Sequence, residues 1–260
     1  MLITALDLIE QAAPDFGGSC ARITDSSSLL DLPIQLVDGR VFQYRLLLQQ
    51  NGEQLSVREE TPVHLPAFCP ERHINFGGTF CLYFQEASPL TVTDSTSAVI
   101  WLETLYKYLK LQERARVQRK WPNADAWAHG GAAHHQLRAL KAASALNRNI
   151  AAAVAGNQVH LTRRRSNDRP ILEIWIHGVH AYSVWEKYKR VINQTKRCFC
   201  GTSGLRRPKR LRRCIDHARQ ASELALAMRD WEDEEKCYWD SMQGLTCCGT
   251  CDSCPLPRAP

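Results

Sequence analysis

Eight of the eleven cysteines in this 260-residue chain fall between residues 198 and 254, and only Cys20, Cys69 and Cys81 precede them. That segregation divides the chain into a long stretch that must hold itself together by burying hydrocarbon and a short one dense in soft ligands. An odd number of cysteines, behind an N-terminus (MLITALDLIEQAAPDF) that lacks the features of a secretory signal, argues against a disulfide framework. Thiolate chemistry and metal binding are the better readings. No apolar run approaches the ~18–20 residues that a bilayer span needs. A cytoplasmic location and no membrane partner are therefore expected.

Charge is segregated as well. Residues 1–95 hold 5 Lys/Arg against 12 Asp/Glu, residues 96–195 hold 16 against 6, residues 196–219 hold 9 against 1, and the remainder 3 against 8. The net +6 thus hides separate surfaces suited to different partners, not one nucleic-acid-binding face.

The apolar period changes along the chain. Residues 3–12 fit a short helix with Ile3, Leu6 and Ile9 on one face, extended by Leu2, and Pro14, Gly17 and Gly18 end it. PIQLVDGRVFQYRLLLQQ reads as two strands joined at Asp38-Gly39, and Asn51-Gly52 turns into a third, QLSVREE. Pro62, Pro66, Pro70, Gly77 and Gly78 rule out a regular element over 61–80. A helix is expected from Ser95 to Lys120, with Val99, Leu102, Leu105, Tyr106 and Leu109 at helical spacing and Ser95 or Thr96 as cap. One further helix is expected around 132–155. NQVHLTRRR and ILEIWIHGVHAYSVW then read as a strand pair joined across Ser166–Pro170, and an amphipathic helix follows near 215–243. Trp101, Trp121, Trp127, Trp175 and Trp185 suit core packing. No internal repeat is visible. The fold class is α+β: a catalytic-type core over 1–125, a helix and hairpin extension over 126–195, and a cysteine-rich domain over 196–260.

LPAFCPERHINFGGTFCLYF, residues 65–84, carries the most chemistry. Proline and glycine keep it extended or turned, so Cys81 ends a long loop beside a rigid meander, a common place for a reacting group. A thiol needs little help to exchange one thioester for another. Subsequent attack by an amine needs a donor for the oxyanion, which Asn75 could supply.

These residues resemble the active-site loop of ubiquitin-conjugating enzymes, in which a His-Pro-Asn triplet precedes a catalytic cysteine followed by leucine. The chain has His73-Ile74-Asn75, then Gly77-Gly78, then Cys81-Leu82, and Ser88-Pro89 leads on to the next helix. The resemblance spans residues 1–120 and is closest to divergent bacterial members. Those are encoded beside a ubiquitin-like protein, an activating enzyme and a deconjugating metalloprotease in Bil-type antiphage operons. It departs at Ile74, which replaces the triplet's proline, and in an interval from His73 to Cys81 about two residues shorter than in the eukaryotic family. The resemblance implies a ubiquitin-conjugating-like fold and a transferase with Cys81 as nucleophile, Asn75 at the oxyanion and His73 catalytic or bracing the loop. It implies as partners a ubiquitin-like protein, an activating-type enzyme and a protein target.

At the other end, CFCGTSGLRRPKRLRRCIDH offers Cys198, Cys200, Cys214 and His217, a tetrahedral donor set for structural zinc. The layout resembles the SEC-C type of zinc motif at Cys198, Cys200, Gly201, Gly204 and Cys214, with a longer basic stretch and a later histidine. The terminal CCGTCDSC gives two Cys-x-x-Cys steps, Cys248, Cys251 and Cys254, as a second metal signal, with Cys237 and Cys247 nearby. Which of the five bind, and whether they share the first site, the spacing leaves open. Cys20 and Cys69 read as small buried hydrophobes. A metal shared by Cys69 and Cys81 does not fit the usual two-to-four-residue ligand spacing. His129, His134 and His135 read as ordinary surface or packed histidines.

Two other functions compete. A zinc-dependent nucleic-acid-binding protein would use the basic run Leu205–Arg213, which lacks interleaved aromatics, so nucleic acid is not expected as a partner. A catalytically silent adaptor would dock the activating enzyme without forming a thioester.

Overall fold

The computed structural model describes residues 3–122, 126–192, 195–200 and 210–258. Leu2, Gly201, Gly204 and the basic residues Arg206, Arg207 and Lys209 lie outside them. The chain forms two compact units, residues 1–123 with 243–260, and residues 124–242. The amphipathic helix of residues 215–241 belongs with the 126–192 region, whereas the last cysteines cluster with the N-terminal unit.

The first unit begins with α1 (Ala5–Ala12), capped reciprocally by Thr4 and Asp7, each side chain accepting from the other's backbone N–H. Four antiparallel strands follow in sequence order: β1 (Ser19–Thr24), β2 (Ser27–Gln35), β3 (Val41–Asn51) and β4 (Gln54–Glu59). The expected meander is present with one more strand than the sequence suggested. SCARIT shows no clean alternation to the solvent, and β1 is recognisable only through its pairing with β2. Along β2 and β3 every second residue faces inward: Leu30, Leu32 and Ile34, then Tyr44, Leu46 and Leu48, are all 0–1% exposed. Burying each such side chain is worth roughly 1.5–3 kcal/mol. The sheet's inner face meets α2 (Ser95–Gln118) through Trp101, Leu102, Leu105 and Leu109. Asp94 caps α2, one residue before the expected cap, by accepting from the Ser97 N–H at 2.7 Å.

The second unit holds α3 (Ala132–Leu146), α4 (Arg148–Ala155), an antiparallel sheet of β5 (Val159–Ser166), β6 (Arg169–Ile176), β7 (Val179–Trp185) and β8 (Arg190–Val191), and α5 (Ile215–Ser241). The single helix expected over 132–155 is two. Asn147 is extended (φ −173°), and its side chain accepts from the Ile150 N–H to start α4 afresh. ILEIWIHGVHAYSVW is likewise two strands and not one, because His177 and Gly178 both take positive φ and reverse the chain. Alanines on facing sides of α3 and α5 (Ala139, Ala142 and Ala143; Ala221, Ala225 and Ala227) are 0–2% exposed in the core of this unit. Of the five tryptophans expected inside, only Trp101 is fully buried; Trp121, Trp127, Trp175 and Trp185 are half-buried.

Candidate active site and metal centre

The loop after β4 is positioned by backbone contacts that polar side chains start and finish. Glu59, 6% exposed, accepts from the backbone N–H groups of His64 and Leu65. Cys69 and Ile74 then exchange both backbone hydrogen bonds at 3.0 Å around a short 3-10 turn, Pro70–Arg72, which His73 closes in the left-handed region at φ 56°. A miniature hairpin follows. Ile74 faces Phe80, flanked by Cys81 N–H donating to His73 O (2.8 Å) and Asn75 N–H donating to Thr79 O (2.8 Å). Gly77 and Gly78, both at φ near +80°, make its turn. Phe80 N–H donates to Val57 O on β4, so the hairpin extends the edge of the sheet.

This register decides which side chains share a face. Ile74 and Phe80 point inward and are 0% and 8% exposed. Side chains alternate along a strand, so Asn75, Thr79 and Cys81 alternate with them in the hairpin, whereas His73, in the left-handed region, caps the turn before it. Asn75 and Cys81 are diagonal neighbours there, a relation that places residues about 7–8 Å apart. Asn75 is exposed and Cys81 half-buried. Burial pushes the Cys81 thiol above its ordinary pKa of 9.0.

From inside, α2 clamps the loop with residues the sequence did not single out. The Tyr108 hydroxyl donates to the backbone oxygens of Arg72 (3.2 Å) and His73 (2.9 Å), and its ring stacks on Phe80 at 5.0 Å. Gln112 exchanges side-chain hydrogen bonds with Arg72, donating to its backbone oxygen at 2.6 Å and accepting from its Nε at 2.8 Å. The His73 ring packs against Trp121 at 5.1 Å. Helical spacing marks Tyr108 and Gln112 as one face of α2, but nothing local indicates what that face holds.

In the second unit, Cys198, Cys200, Cys214 and His217 bring their donor atoms within 4.8 Å of one another. Cys214 precedes α5 and His217 stands in its first turn. His217 Nδ1 lies 3.0 Å from the sulfurs of Cys198 and Cys200 and 3.5 Å from that of Cys214. Three thiols and one imidazole nitrogen converging this way suit a tetrahedral soft divalent cation. Among the described residues no other group of three or more donors meets that distance, and His129, His134 and His135 do not form one. His129 instead pairs through Nδ1 with Glu235 and stacks on Tyr238. The terminal Cys248, Cys251 and Cys254 are in the first unit, in or against the core that also holds Cys69. Cys237 is exposed on α5.

Residues 16–123 match the family model described as prokaryotic E2 domain, and residues 128–256 match the one described as cysteine-rich domain, C-terminal to E2 domain. No curated protein and no solved structure matches the chain. Among the described residues no helix is long and apolar enough to cross a membrane. The two matched segments together take in nearly all of the sequence, so the chain belongs to the prokaryotic E2 family of the ubiquitin-conjugating type, in the form that carries a cysteine-rich domain after its E2 domain.

Proposed function

We propose that the protein is a cytoplasmic ubiquitin-conjugating-type transferase of a bacterial antiphage system, which carries a ubiquitin-like protein as a thioester on Cys81 and passes it to a target amine. What supports the reading is the hairpin whose register makes Cys81 and Asn75 diagonal neighbours, alternating with the buried Ile74 and Phe80. The Cys81 thiolate attacks the thioester carbonyl of the charged activating enzyme, and the collapsing tetrahedral intermediate expels that enzyme's thiolate. In the second step the target amine attacks the Cys81 thioester. An amide forms, the carbon–sulfur bond breaks, and the proton lost by the amine nitrogen goes to the departing sulfur, which returns Cys81 to the thiol. The Asn75 carboxamide donates to the oxyanion in this step. His73 contributes its backbone carbonyl and its packing on Trp121, contacts that fit bracing more than proton transfer.

Zinc at Cys198, Cys200, Cys214 and His217 is structural in this reading. The four residues fit it by donor type and convergence, and together they would fill its four positions, leaving none for a reacting water. When bound, the ion ties the segment after β8 to the start of α5.

Mixing the chain with its ubiquitin-like protein, an activating-type enzyme and ATP tests the proposal. A reducer-sensitive adduct that disappears in Cys81→Ala is expected; an adduct that survives the substitution removes the reading. The nucleic-acid alternative draws on one observation, a cleft lined by Arg190, Arg210, Arg212 and Arg213. It would require binding that falls steeply with salt and weakens in Arg210→Ala.

A further inference from the structure

Cys69 is the cysteine of the active-site loop that thioester chemistry leaves unused. It is 1% exposed, and its thiol lies near enough to those of Cys248 and Cys251 in the C-terminal segment to interact with both. Cys248 and Cys254 pack against the core that holds Cys69 and Cys251. The segment is pinned around these thiols. Arg119 donates to Gly249 O (2.8 Å) and to Asp252 Oδ1 (2.9 Å) and accepts from the Asp252 N–H (2.8 Å). Gly249, at φ +72°, folds its N–H onto the Cys247 sulfur at 3.3 Å.

A second observation concerns charge. Arg72 is 1% exposed, and its guanidinium donates to Gln112 Oε1, Gln112 O and Thr250 Oγ1, all neutral acceptors. No described carboxylate forms an ion pair with it. A buried cation without an anion costs several kcal/mol, so this position calls for negative charge, and Cys251 is close enough to interact with it. Four thiolates around a divalent cation carry a net charge of −2.

We infer that Cys69, Cys248, Cys251 and Cys254 form a second thiolate centre for a soft divalent cation, with Arg72 as its buried counter-charge, fastening the C-terminal segment to the loop that bears Cys81. On loading, the four thiols each release a proton and form one metal–sulfur bond, and nothing is oxidised. The thiols stand wider apart than the donors of the Cys198 centre, and the ion draws them to about 2.3 Å from itself. Cys247, whose thiol reaches the Cys251 carbonyl at 3.9 Å and accepts from the Gly249 N–H, supports the set from outside. Were Cys69 only a buried hydrophobe, Arg72 would have no charge to answer it.

The inference is independent of what Cys81 does, and metal content reads it directly. Full-length chain loaded with zinc(II) or cobalt(II) and freed of excess ion is expected to hold two ions. Cys69→Ser is expected to hold one and to retain the cobalt spectrum of the three-sulfur, one-nitrogen centre. Cys254→Ser, at a half-buried position less apt to disturb folding, is expected to show the same loss. Cys214→Ser is expected to leave only the four-sulfur spectrum. Two ions retained in both Cys69→Ser and Cys254→Ser, or a single ion in the parent chain that Cys214→Ser removes, overturns the assignment.

Discussion

In the proposed reaction Cys81 has to act as a nucleophile in surroundings that work against its ionisation. Burial disfavours the thiolate and pushes the thiol above its ordinary value. Its alkylation by iodoacetamide, followed peptide by peptide, is expected to rise about tenfold per pH unit through pH 9 without a plateau; a plateau below pH 8 would show a depressed pKa instead. Asn75→Ala is expected to leave charging of Cys81 nearly intact and to slow discharge onto free lysine by about 10²–10³-fold, the usual cost of one oxyanion donor. Equal loss in both steps would assign Asn75 a structural role. The loop that carries Cys81, Asn75 and His73 was legible in the sequence because prolines and glycines dictate it locally. Arg72 was not, since its partners Gln112 and Thr250 are remote in sequence and no short-range pattern announces them.

At the scale of elements, α2 does two jobs on one face: apolar residues bury against the sheet while Tyr108 and Gln112 hold the loop's backbone. Tyr108→Phe keeps the ring on Phe80 but removes one donor from the carbonyls of Arg72 and His73, which keep those of Gln112 Nε2 and the Cys81 N–H. A loss of ~0.5–1.5 kcal/mol in urea unfolding is expected, with slower charging of Cys81; unchanged stability would mean that the hydroxyl contributes nothing to the clamp. Strong local signals were the readable ones. Asp38-Gly39 and Asn51-Gly52 mark real turns, and the period of α2 fixes its extent to within two residues. Weak signals failed. His177-Gly178 reverses the chain although histidine is a less usual left-handed residue than asparagine or aspartate, and Asn147 interrupts an alanine-rich run by capping its second half.

For the whole molecule, the feature that composition could not reveal is the return of the last residues to the N-terminal unit. Cysteine density suggested one C-terminal metal domain; the structure divides the thiols between two units. Deleting residues 243–260 is therefore expected to raise hydrogen exchange over residues 65–75 and 108–121 and to leave α3 and α5 protected. The reverse pattern would contradict the grouping. The central claim concerns one sulfur atom among eleven, and peptide mapping of the charged protein under acidic, non-reducing conditions tests it most directly. The modifier's C-terminal carboxyl is expected on the peptide that contains Cys81; finding it on any other cysteine, or only on lysine, would contradict the account.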